Sequence, residues 1–124
     1  MVSATMMVKR RIVLNVLLVL AAAAMAAAGA APSEKVFEVR LVDGRAAADR
    51  STLRIGKGDK VELRWTSDRP IVLHLHGYDI ETTVAPQAPA TMAFSADIAG
   101  RFPVSEHRHG GGHARAVLYL EVHP

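Results

Sequence analysis

The 124-residue chain contains no cysteine. That excludes a disulfide framework, the usual support of small exported domains. It also excludes every thiolate mechanism: a cysteine nucleophile, a dithiol redox pair or a sulfur-bound metal. Lipid attachment at a cysteine is excluded on the same ground. Aromatic residues are scarce, at 5% of the chain, and no basic stripe interleaved with aromatics is present, so nucleic-acid binding is rejected. No long segment carries a 3.6-residue apolar period, there is no internal repeat, and no low-complexity linker lies beyond the few residues around Pro32.

The first thirty residues differ from the rest. Lys9, Arg10 and Arg11 precede the apolar run "IVLNVLLVLAAAAMAAAG", and Ala28 and Ala30 then offer the small-residue spacing that a signal peptidase reads. A positive n-region, an apolar h-region and a small-residue exit describe a secretory signal peptide over residues 1–30. A retained membrane anchor is the competing reading, since the run is nearly long enough to span a bilayer. Much of it is alanine, which is only weakly apolar, so the expectation is cleavage, a periplasmic or secreted product, and no stable membrane anchor afterwards. The formal charge of +3 belongs to that leader. From Ala31 onward basic and acidic side chains balance, which leaves the mature part without a field for polyanions.

Residues 31–124 suffice for one small domain with a single core. Its pattern is strand-like. "VFEVRLV" places Phe37, Val39 and Leu41 on one face, and "VELRWT" sets Val61, Leu63 and Trp65 against Glu62, Arg64 and Thr66. The runs "STLRI", "IVLHLH", "DIETTV", "TMAFSA", "RFPVS" and "RAVLYLEV" continue the series, separated by "DGR", "GKGD", "SDRP", "APQAP" and "DIAG". Short strands at this spacing predict an all-β Greek-key sandwich. A helical turn is expected near Ala46 to Ala48, and Trp65 and Phe94 are expected in the core.

Five of the six histidines form two groups: His74 and His76 in "HLHGYD", and His107, His109 and His113 in "EHRHGGGH". His74 and His76 stand two apart in a strand and so share a face. Two such imidazoles can hold a metal with a ligand from elsewhere, or can simply make a polar face. The second group lies in the loop between the last two strands, where Gly110, Gly111 and Gly112 let the backbone bring His113 back towards His109. Imidazole serves copper, zinc, nickel and iron, with copper(II) highest in intrinsic affinity. A solvated glycine-rich loop is the competing reading. His123 is expected in solvent, and Asp79 either orders a turn with Gly77 and Tyr78 or hydrogen-bonds a histidine.

From about Ser51 to Pro124 the chain resembles a cupredoxin. "GKGDKVELRWTS" is similar to the G-D-x-V strand pair of that family, and "AGRFPVSEHRHGGGH" to its last loop, where a strand leads into clustered copper ligands. Two registers follow from the resemblance. In the plastocyanin-like one, Glu106 takes the cysteine position, His109 the following histidine, and His113 falls near the axial ligand. In the register of multicopper oxidases, "HLHG" resembles H-x-H-G and Arg108 takes the cysteine position. Neither has its cysteine, so the resemblance implies a non-blue metal site of histidines with Glu106 as a carboxylate ligand. The expected ligands are His74, His76, Glu106, His107, His109 and His113, the expected metal copper with zinc as the alternative, and the expected role copper handling. A metal-free interaction module of the same fold is the second reading, and a small metallo-oxidase the third. No substrate pocket is legible, so no catalytic residue is assigned, and the sequence leaves any protein partner open.

Overall fold

The computed structural model describes residues 31–108, 110 and 114–124. The leader expected over residues 1–30 lies outside them. Pro32–Pro124 forms one compact unit. Its strands are β1 (Glu34–Val42), β2 (Arg45–Ala46), β3 (Thr52–Gly56), β4 (Lys60–Ser67), β5 (Ile71–Leu75), β6 (Ile80–Val84), β7 (Ala90–Ser95), β8 (Gly100–Glu106) and β9 (Ala116–His123). The helical turn expected near the alanines is a single 3-10 turn, two residues further on, at Ala48–Arg50.

Two sheets face one another. One has the order β2-β1-β4-β7, the other β3-β9-β8-β5-β6. β1 runs parallel to β4 and β3 parallel to β9, while the remaining pairs are antiparallel. Apart from the hairpins β1–β2, β5–β6 and β8–β9, each connection carries the chain from one sheet to the other, which gives the sandwich its Greek-key character.

The alternation read from the sequence is the alternation of burial. Val39 and Leu41, Val61, Leu63 and Trp65, and Met92 fill the core from one sheet. Leu53, Ile55, Leu73, Leu75, Val104, Leu118 and Leu120 fill it from the other. Trp65 is fully buried and Phe94 packs at the core's margin, as expected. Each fully buried Leu or Val side chain contributes about 1.5–3 kcal/mol of transfer free energy, which is why a domain without disulfides holds.

Two polar devices fix the ends. Asp59, only 6% exposed, accepts from the Ser33 N–H (2.9 Å), the Ser33 hydroxyl and the Gly56 N–H (3.0 Å). It ties the start of β1 to the β3–β4 turn, and the Ser33 N–H above all holds its carboxyl below the usual carboxylate range. At the other end Asp43 and Gly44 both take positive φ, the requirement of a tight two-residue hairpin turn. Asp68 clasps that turn by accepting the Asp43 N–H.

Candidate metal centre

β8 ends at Glu106 and β9 begins at Ala116, so the histidine stretch occupies the loop between the last two strands, as the sequence implied. His109 and His113 lie outside the described residues. His107 is placed by its N–H, which donates to the Val72 carbonyl at 2.8 Å and prolongs the β5–β8 ladder by one step.

That ladder is antiparallel: Leu73 opposes Glu106, His74 opposes Ser105, and the His76 N–H donates to the Pro103 carbonyl. From His74 to His76, β5 therefore runs away from the level of His107. His107 stands level with Val72, His74 two residues along β5, and His76 two further, roughly 13 Å from the level of His107 at the strand rise. His74 is the member of the pair nearer the loop. The His74 and His76 rings do share a face, with centroids 4.4 Å apart in an edge-on arrangement.

Side-chain alternation sends Glu106 and His107 to opposite sides of the sheet. Glu106 opposes Leu73, which faces the core, so it points to the inner side of its sheet at the open end of the sandwich. Its two oxygens accept from Arg69 Nη1 (2.9 Å) and Nη2 (3.2 Å), and Arg108 Nη2 adds a third contact at 3.2 Å. The Arg69 guanidinium, and then Arg108, holds the Glu106 carboxyl well below its ordinary range against the opposing effect of burial. For Glu106 to serve as a carboxylate ligand, it would have to leave Arg69.

His107 points the other way. On the outer face its Nδ1 lies 3.6 Å from Glu81 Oε2, and Glu81 is the cross-strand partner of His74. Glu81 thus links the two histidine groups, a role the sequence reading missed. The signal was present: a four-residue connection from Leu75 to Ile80 sets His74 opposite Glu81. Arg69 was missed as well, and no local pattern announces a partner 37 positions from Glu106. Asp79 does both things asked of it. It takes a positive φ of 54° in the turn, and its Oδ1 lies 2.9 Å from His74 Nε2. His123 is exposed at the end of β9.

The donor chemistry on the outer face is the imidazoles of His74, His76 and His107, with the Glu81 carboxylate between His74 and His107 and that of Asp79 at His74. Among the described residues no three His, Asp or Glu side chains converge closely enough to hold a metal ion. Neutral imidazole and carboxylate suit copper and zinc, and further ligands would have to come from the loop.

A Greek-key sandwich of two mixed sheets, superimposable on solved copper-protein domains, defines the fold as cupredoxin-like. Several solved structures share this fold. A chain of a haem-copper terminal oxidase dimer superimposes with a TM-score of 0.59 at 18% identity, covering 96% of this chain and 97% of that one. A copper binding protein in the apo form gives 0.57 at 10% identity, over 77% of this chain and all of that one. The periplasmic domain of cytochrome oxidase subunit II of Bradyrhizobium japonicum gives 0.55 at 10% identity, over 70% and 82%. No family model matches the sequence, and no curated protein matches it. At these identities the likeness is one of fold. Among the described residues no helix is long and apolar enough to cross a membrane.

Proposed function

We propose that this chain is an exported cupredoxin-like protein that binds copper through a histidine-rich, non-blue site and serves in copper handling. One observation carries the reading: the β5–β6–β8 register puts His74 and His107 on one outer face, with Glu81 between them, at the strand end from which the loop bearing His109 and His113 departs. The proposed ligands are His107, His109 and His113, with His74 joining from the strand. His76 holds the His74 ring edge-on, and Glu106 stays with Arg69 on the opposite side. Copper in such a site would be held by neutral imidazoles, with Glu81 supplying negative charge. The copper-binding and periplasmic neighbours of the same fold support both the metal and export.

The test is thermal. A ligand bound only by the folded state raises the unfolding midpoint, by an amount that grows with the logarithm of ligand concentration over Kd. Copper(II) should raise the midpoint of the metal-free protein, and the rise should shrink in acid, because imidazole binds metal only when deprotonated. Zinc serves as the competitor. The double variant His109→Ala, His113→Ala should lose most of the shift. A shift that survives both substitutions would place copper elsewhere.

The second reading, a metal-free interaction module, is favoured by the pairing of His74 with Asp79 and of His107 with Glu81. It gives no copper-dependent shift at all.

A further inference from the structure

The open end of the sandwich holds a cavity of about 360 Å³ on the inner side of the sheet, opposite the face that carries His74 and His107. Four arginines line it, Arg45 from β2, Arg69 from the β4–β5 turn, and Arg108 and Arg115 from the two ends of the last loop. Against them stand two carboxylates, Asp43 and Glu106. The floor is already built. Arg69 is pinned by the bidentate bonds to Glu106, whose side chain is 17% exposed, and its guanidinium lies over Gly44, where a Cβ would strike it. The Asp43 carboxylate sits 3.9 Å from Arg69 but is 86% exposed, and that of Asp68 is turned to the Asp43 N–H. The Arg45 and Arg115 guanidinium groups have no ion-pair or hydrogen-bond partner among the described residues. Two guanidinium forks therefore border the cavity in excess of its carboxylates.

We propose that this pocket binds a small multivalent oxyanion, of the phosphate or dicarboxylate kind. The guanidinium fork matches either oxyanion in a bidentate way and cannot lose its proton. Forks arriving from β2 and from both ends of the loop suit an acceptor with oxygens in several directions. The cavity has room for such an ion, and Glu106 keeps Arg69 ordered beneath it. The site goes beyond copper binding and uses none of the proposed metal ligands, so it is tested on metal-free protein.

The experiment titrates the 15N-labelled protein with sodium phosphate and, separately, with sodium succinate, at constant ionic strength balanced by chloride. The Nε–H signals of Arg45, Arg69, Arg108 and Arg115 should shift together and saturate at one ion per chain. Arg45→Gln combined with Arg115→Gln should weaken binding by more than about tenfold, the loss expected for charge-assisted hydrogen bonds. Asp43→Asn should strengthen binding, since it removes an opposing charge while asparagine tolerates the same positive φ. Saturation by phosphate alone assigns the phosphate kind, and by succinate alone the dicarboxylate kind. Shifts that fail to saturate with either anion, equal shifts from chloride, or an affinity unchanged in the double variant would each overturn the proposal.

Discussion

At the scale of single residues, charge pairing decides what each polar side chain is free to do. Glu106 stands at the cysteine position in one of the two registers of the resemblance, but its partner was not legible, because the Arg69 contact exists only once β4, β5 and β8 are assembled. The pairing carries a pH signature. A carboxyl depressed in the folded state contributes stability above its unfolded pKa, about 4.3 for glutamate, and loses it as pH falls through the folded value. Acid should therefore destabilise the protein from about pH 4 downward. In Arg69→Ala the Glu106 carboxyl should return towards its ordinary range, as followed by its side-chain carbon shift in an NMR titration. Asp59→Asn should likewise flatten the acid limb of the unfolding curve, since it removes a carboxylate whose folded form is held ionised by Ser33 and Gly56. An acid limb as steep as that of the parent would show that Asp59 contributes nothing there.

Among the elements, period-two alternation made the strands readable, and register made the rest unreadable. Val61, Leu63 and Trp65 face inward as their spacing dictates, and Leu63→Ala should cost about 2–5 kcal/mol in denaturant unfolding. The four-residue connection after Leu75 sets β5 against β6 by local chain alone. By contrast, the β5–β8 register depends on pairing across a long sequence separation, and nothing local in "HLHG" or "EHR" reveals that His74, rather than His76, stands nearer to His107. Gly77 marks the turn: its φ of +85° and the Phe102 ring against its Cα leave no place for a side chain. Gly77→Ala should destabilise by more than about 1 kcal/mol, the cost of alanine at positive φ. A neutral result in the same assay would mean that the turn relaxes without loss.

For the molecule taken whole, the fold class was the most legible feature, because every strand run and every turn cluster agreed on it. The candidate site was legible only in composition. Five histidines in two groups announced imidazole chemistry, while three-dimensional pairing distributed it: His74, Glu81 and His107 to the outer face, Glu106 and Arg108 to the arginine-lined inner end. Export belongs to the same scale, and N-terminal sequencing of secreted protein should begin at or near Ala31. An intact apolar run on that product would contradict the leader reading. The central claim is copper held by imidazoles without sulfur, and copper(II) titration of the metal-free protein, followed together by electron paramagnetic resonance and visible absorption, tests it most directly. The result expected is one copper per chain, nitrogen hyperfine structure from several imidazoles, no intense blue band, and loss of the signal in His109→Ala, His113→Ala. Copper that stays unbound, or that binds equally well in that double variant, would contradict it.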